Sequence, residues 1–267
     1  MGYATIQVDQ TPAGVGTLRL NRPDLRNAFD DAMIAEVTAA LRAFDADPAV
    51  RAVILAAAGP AFCAGADLNW MKRMADYTFE QNYQDALGLA GMLQTLYTLA
   101  KPTLARVHGA TFAGGVGLVA ACDIAVAETG AEFCLSEARI GLVAATISPY
   151  VIAAMGERMA YRYMLTAERF DAAEARRIGL VHEVAPPAEL DRVISAIIGH
   201  ILASGPHAQA ATKELIRAVA RRPLSAELVS DTATRIAAAR ASDEGKEGIR
   251  AFLEKRLPAW RPSGARK

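Results

Sequence analysis

The stretch Lys101-Pro102-Thr103-Leu104-Ala105-Arg106-Val107-His108-Gly109-Ala110-Thr111-Phe112-Ala113-Gly114-Gly115-Val116-Gly117-Leu118-Val119-Ala120-Ala121-Cys122-Asp123 decides how this chain is read. An apolar strand, Thr103 to Val107, runs into a glycine-rich turn, Ala113 to Gly117, and further on a lone acid stands in Phe133-Cys134-Leu135-Ser136-Glu137. Small residues at such a turn let a ligand carbonyl approach backbone N–H groups, and a helix beginning there adds the positive end of its dipole. Glu137 would then move a proton beside a stabilised oxyanion.

Before this stretch, Thr5 to Val8 and Val15 to Leu20 cluster apolar residues on either side of Pro12-Ala13-Gly14, which reads as a hairpin closed off by Pro23. Ala32 to Phe44 has apolar residues at helical spacing, and Val50 to Ala56 reads as a short buried strand. A loop from Ala57 to Asp67 leads into one long helical stretch from about Asn69 to Leu99, which Pro102 separates from the strand that follows. After the turn, Ile124 to Ala127 and Glu132 to Cys134 read as strands. Beyond Ile147 the pattern is helical, interrupted by the apolar run Gly179 to Val184. Strands separated by helices early and helices late predict an α/β core with a helical C-terminal part. The boundary falls at Ala203-Ser204-Gly205-Pro206, giving a core over 1–203 and a helical part over 204–267.

The 267 residues are 52% apolar, and 29 basic residues balance 29 acidic ones. Such a chain can bury a large core and carries no overall field for nucleic acid or an anionic membrane. Cys63, Cys122 and Cys134 have neither zinc spacing nor a secreted disulfide layout, and no basic neighbour in sequence would activate them. The start Met1-Gly2-Tyr3-Ala4-Thr5 lacks the basic and apolar regions of a signal peptide, so a cytoplasmic protein is expected. The apolar region 107–127 holds four glycines, His108 and Asp123, and reads as core rather than membrane span.

Taken together, the motifs resemble the crotonase superfamily, the enoyl-CoA hydratases and isomerases, from Thr5 to Trp260. The resemblance rests on Asn21-Arg22-Pro23 with Asn27-Ala28, Phe62-Cys63-Ala64-Gly65-Ala66-Asp67-Leu68, Lys101-Pro102 leading to His108-Gly109, Gly114-Gly115 with Cys122-Asp123, and Ser136-Glu137 before Gly141-Leu142. Leu165 to Phe170 and Ala175 to Val181 add two later signatures. The resemblance implies a spiral of β-β-α turns, C-terminal helices that build a trimer or a dimer of trimers, and a CoA thioester as substrate, with no separate cofactor or metal. It implies an oxyanion hole made by the N–H groups of Ala66 and Gly114. Ala64, Gly65, Asp67 and Leu68 would line the CoA path near Arg26, Ala28 and Gly115, with Phe252 and Lys255 closing over it from the C-terminal helix.

One departure matters. Hydratases of this family usually carry two glutamates, and the first position is here Gly117, leaving Glu137 alone. A single glutamate is the arrangement of the family's Δ3,Δ2-enoyl-CoA isomerases, whereas Ala66 to Met71, Phe133 to Glu137 and Ile147 to Val151 look more like bacterial hydratases of branched, carboxylated acyl-CoAs such as methylglutaconyl-CoA. In that case Glu137 would handle the α-proton while the substrate's distal carboxylate orients water. Lys72 and Arg73 are candidates to pair with that carboxylate, or form a solvated helix face.

Two other classes have a foothold. Gly115-Val116-Gly117-Leu118-Val119-Ala120 fits a dinucleotide-binding G-x-G-x-x-A pattern, but the next strand arrives too soon for the crossover helix of a NAD-dependent dehydrogenase. Arg217 to Arg222 would be the only basic feature for a non-catalytic RNA-binding protein, and a solvated helix end explains it equally well. His108 reads as a core histidine, and His182, His200 and His207 have no partners at metal spacing. Asp123 is expected to anchor the turn after the short helix, and Asp67 to order its loop.

Overall fold

In the computed structural model, which describes residues 2–261, the chain winds as a spiral of strand, strand and helix. A hairpin, β1 (Ile6–Gln10) and β2 (Val15–Leu20), starts it, with the antiparallel register Ile6↔Leu20 to Gln10↔Gly16. Helix α1 (Asp31–Ala46) follows, capped by Asp30, whose side chain accepts from the Met33 N–H. The next three coils each place two strands in succession: β3 (Ala52–Ala57) then β4 (Ala61–Cys63), β5 (Thr103–Val107) then β6 (Ala110–Phe112), and β7 (Ile124–Glu128) then β8 (Glu132–Cys134).

The first member of each pair joins a six-stranded sheet of order β1, β2, β3, β5, β7, β10, where β10 is Glu183–Ala185. The second joins a four-stranded sheet of order β4, β6, β8, β9, where β9 is Phe170–Asp171. Strands β4, β6 and β8 run parallel, with Cys63 opposite Thr111 and Phe112 opposite Cys134. Successive coils therefore stack, and the ends of these three short strands lie side by side.

The long helical stretch expected from Asn69 to Leu99 is two helices, α2 (Leu68–Ala75) and α3 (Phe79–Thr98). Thr78 and Gln81 form a reciprocal capping box that restarts the backbone as α3. Short helix α4 (Gly114–Ala121) is apolar on every side, and all of its residues except Ala120 are buried. Helix α5 (Ser148–Thr166) bends at Gly156, which has φ 75° and so leaves the helical region. Helix α6 (Ala172–Arg177) and α7 (Leu190–Ala203) complete the spiral, with Leu190, Ile194, Ile198 and Ile201 of α7 packing on Val15, Leu104 and Val126 of the large sheet.

Pro206 then opens α8 (Pro206–Val219), followed by α9 (Ala226–Ala241) and α10 (Asp243–Leu253). A buried lysine ties α8 to the core through an ion pair: Lys213 Nζ lies 2.6 Å from Asp123 Oδ2 and 2.9 Å from the Lys101 carbonyl. The same Asp123 carboxylate accepts from the backbone and hydroxyl of Thr103, so it locks the end of α4 to the base of β5. Residues 262–267 of the expected C-terminal part lie outside the described residues. No helix among the described residues is long and apolar enough to cross a membrane.

Candidate active site

The side-by-side strand ends of the small sheet bring the expected groups together. Ala66 follows β4, Gly114 follows β6 and Glu137 follows β8, so each comes from the C-terminal end of one of three neighbouring parallel strands. Contacts between the loops fix their approach. A Cβ on Gly65 would stand 3.0 Å from Ala113 Cβ, and one on Gly115 would stand 2.6 Å from the Cys63 carbonyl, so both glycines are demanded by close packing.

The two amides are presented by different means. Phe29 forms a parallel bridge with Ala66, donating to the Gly65 carbonyl at 2.9 Å and accepting from the Asp67 N–H at 3.0 Å. In a parallel bridge the partner's own amide faces the other way, so the Ala66 N–H is turned from Phe29, and it has no hydrogen-bond partner among the described residues. Gly114 is the first residue of α4, where N–H groups have no intrahelical acceptor, and its amide too is unpartnered. The preceding Ala113 holds φ 49° and ψ −119°, a conformation that costs a non-glycine residue about 1–3 kcal/mol. A bond from the Ala113 N–H to the Cys134 carbonyl, 2.8 Å long, pins it there.

Glu137 opens a single 3-10 turn, Glu137–Ile140, which packs against α5. Its Oε2 is buried and makes no hydrogen bond, and burial pushes its carboxyl above the ordinary glutamate range. An acid so placed is suited to hold and release a proton rather than to anchor structure. One turn along α4 from Gly114, Gly117 lies against Ile147, whose Cβ would be 2.8 Å from any Cβ at position 117.

The segment expected to carry CoA is also assembled. The Ala64 N–H donates to the Arg26 carbonyl at 3.0 Å, laying the Arg26–Ala28 segment beside Ala64 and Gly65. Arg22 holds this arrangement, donating to the Ala28 carbonyl at 2.8 Å and pairing with Asp67 at 3.0 Å. Asp67 caps α2 by accepting from Asn69 and Trp70, and hydrogen bonds together with the Arg22 charge keep its carboxyl below the usual range despite its burial. Its carboxylate is thus engaged within the protein. Leu68 is 74% exposed and Ala28 is buried.

Other expected residues fall elsewhere. Phe252 is exposed and Lys255 ends α10 in a left-handed turn with φ 56°; α10 packs on α8 and α9, and within this chain the hydrogen bonds given by these two residues stay inside that helix end. Arg73 pairs with Asp31 at 2.7 Å, which leaves it on a solvated face. His108 Nε2 lies 2.9 Å from the Gly59 carbonyl. Burial raises the Cys63 thiol to about 12 and lifts those of Cys122 and Cys134, so none is a ready thiolate. No cluster of metal-ligating side chains exists among the described residues. A cavity of about 1050 Å³ opens instead between α5 and α8, lined by Tyr97, Tyr150, Lys213 and Arg217, away from Ala66, Gly114 and Glu137.

Sequence reading missed Phe29, Ala113 and the Cys134 carbonyl as the parts that aim the amides. Their roles depend on contacts between coils, for which no local pattern exists. Ile147 was visible only as part of a motif.

The enoyl-CoA hydratase/isomerase family model matches residues 10–263. The chain is similar to the crystal structure of an enoyl-CoA hydratase from Shewanella pealeana, with a TM-score of 0.94 and 41% identity over 97% of this chain and 96% of that one. It is similar to an enoyl-CoA hydratase structure from Mycobacterium smegmatis, with a TM-score of 0.90 and 35% identity over 96% and 99% of the two chains. Mevalonyl-coenzyme A hydratase of Aspergillus fumigatus is 34% identical over 253 residues, 92% of this chain and 91% of its own.

Proposed function

The chain belongs to the enoyl-CoA hydratase/isomerase family, and on that premise we propose that it reversibly adds water to a branched 2-enoyl-CoA bearing a distal carboxylate, of the methylglutaconyl-CoA type. The observation that carries the reading is the buried Glu137 Oε2, without a hydrogen-bond partner, beyond a strand end beside two others whose following amides, Ala66 and Gly114, are free among the described residues. Two such donors stabilise the charge that develops on a thioester oxygen, each worth about 3 kcal/mol in comparable sites.

The proposed step uses one protein carboxylate. Water oxygen bonds C3, the C2=C3 electron pair moves onto the thioester oxygen between the two amides, and the water proton passes to the substrate's distal carboxylate. Glu137, entering protonated, delivers its proton to C2 as the carbonyl reforms; the proton taken by the distal carboxylate is released to solvent and Glu137 regains one from solvent, so that net water has been added. The glycine at position 117 supports substrate assistance, because it leaves no second acid in the turn. Ala64, Gly65, Leu68 and Gly115, beside Arg26 and Ala28, would guide the CoA portion. Asp67 would hold that path in shape.

Turnover of a carboxylated 2-enoyl-CoA and of its plain alkyl analogue in oxygen-18 water tests the proposal. Labelled product from the carboxylated substrate at a rate at least about tenfold higher is expected, and equal rates would overturn substrate assistance. The single glutamate also favours Δ3,Δ2 isomerisation. That reading predicts solvent hydrogen but no labelled oxygen in the product from a 3-enoyl-CoA.

A homotrimer, or a dimer of trimers, is part of the proposal, as is a cytoplasmic location. Exposed Val229 and Ile236 on α9 and Ile249, Phe252 and Leu253 on α10 support self-association, and it would let Phe252 and Lys255 reach a neighbour's CoA. Sedimentation velocity at micromolar concentration checks it.

A further inference from the structure

We infer that Ile147 is the specificity-determining residue that keeps this site at one carboxylate and so makes hydration depend on the acid its substrate carries. The inference rests on the hydration reading above and deepens it. Gly117 sits in the middle of α4, where glycine is less favourable than alanine, so its presence calls for a packing reason. That reason is Ile147: any Cβ at position 117 collides with the Cγ2 and Cβ of this side chain.

Ile147 cannot simply swing aside. It is 1% exposed, belongs to the main core, and is β-branched, which confines its rotamers. Its carbonyl accepts from the N–H groups of Tyr150 and Val151, each at 3.1 Å, so the backbone is fixed at the start of α5. Gly117 also lies three residues beyond Gly114, on the same face of α4 as the free amide. An acid at position 117 would therefore point along the face that begins with the oxyanion donor, into the volume that Ile147 now fills with methyl groups. The pair acts as one unit: small at 117 and branched at 147 excludes a water-activating carboxylate.

The test combines G117E with I147A. In the double variant, the water proton passes to the carboxylate introduced at position 117 as the water oxygen bonds C3. The C2=C3 pair shifts to the thioester oxygen, Glu137 protonates C2 as the carbonyl reforms, and exchange with solvent returns a proton to Glu137 and removes the one at position 117. Hydration of the plain alkyl 2-enoyl-CoA is expected to rise at least about tenfold, since general-base catalysis contributes roughly two to four orders of magnitude. The kcat/KM preference for the carboxylated substrate should shrink accordingly, while I147A alone leaves that preference in place. A folded double variant with an unchanged preference overturns the inference. A stability cycle guards against misfolding: G117A should lower the melting temperature strongly in the native background and little in I147A, and additive losses would overturn the steric pairing. If the native protein hydrates both substrates equally, the substrate-assisted reading itself falls, whatever the cycle shows.

Discussion

Phe29 fills the space in which a side chain on Gly114 would stand, so one aromatic residue sets the position of both free amides. Its ring blocks position 114 while its backbone pairs with the segment carrying Ala66. Trp70 supports it edge-on, with ring centroids 6.1 Å apart, and the Trp70 indole N–H is held by Asp85 at 2.9 Å. Gly114→Ala should therefore push the start of α4 away from the Ala66 loop and lower kcat by about 10² to 10³, the range for one lost oxyanion donor. Phe29→Leu in the same background should recover part of the loss. Steady-state kinetics on the best 2-enoyl-CoA substrate checks both.

Glu137→Gln removes the only acid the site offers and should lower turnover by about two to four orders of magnitude. Its effect on stability has the opposite sign. Burial raises the folded-state pKa of Glu137 above the ordinary value of 4.5, so the native state binds the proton more tightly than the unfolded chain does. That favours folding below the unfolded value and is lost as pH rises through the folded one, so at pH 7 the buried carboxyl costs the native state free energy. Glu137→Gln should raise the melting temperature at pH 7 relative to the native protein, with the gain shrinking toward pH 4. Thermal melts across this range check the sign.

Lys213 is 92% buried by its side chain's 8% exposure, and its ammonium is paired with Asp123 and the Lys101 carbonyl. Lys213→Ala would leave the partly exposed Asp123 carboxylate with the Thr103 donors alone and should cost about 1–2 kcal/mol. Asp123 also ties the end of α4 to β5, so some activity should be lost with it. Asp123→Asn should destabilise by more, about 3 kcal/mol, because it strands the buried lysine charge. Denaturant melts of both variants and of the double variant Asp123→Asn with Lys213→Met measure the coupling, and the double loss should be smaller than the sum of the single ones.

The large sheet was legible because its strands are runs of apolar residues such as Thr103 to Val107 and Val15 to Leu20, bounded by Pro or Gly. Of the small sheet only β8 could be read. β4 falls inside the loop expected from Ala57 to Asp67 and β6 directly before the glycine-rich turn, where small residues read as loop, and their pairing joins segments from different coils. The break between α2 and α3 did have a local signal, Thr78-Phe79-Glu80-Gln81, which is a capping-box sequence, but the continuing apolar spacing on either side outweighed it. Glu137 stood out as a lone acid beyond the turn, but preferring catalysis to a helix-start role for it took the family resemblance, since an acid after serine is ordinary at a helix start. The small residues around Ala66 and Gly114 showed that backbone could be approached there. What turns those amides outward, the Phe29 bridge and the strained Ala113, belongs to tertiary contact.

The winding of successive coils has a kinetic corollary. No single coil possesses half of the catalytic apparatus in working form, because each amide is aimed by a segment from another winding: Ala66 by Phe29, Gly114 through the Cys134 carbonyl. Helices can form early from local contacts, whereas these junctions close only when distant stretches of chain have met. During refolding, recovery of catalysis should lag behind the far-ultraviolet helix signal, so that enzyme activity serves as a clock for the last coil to settle.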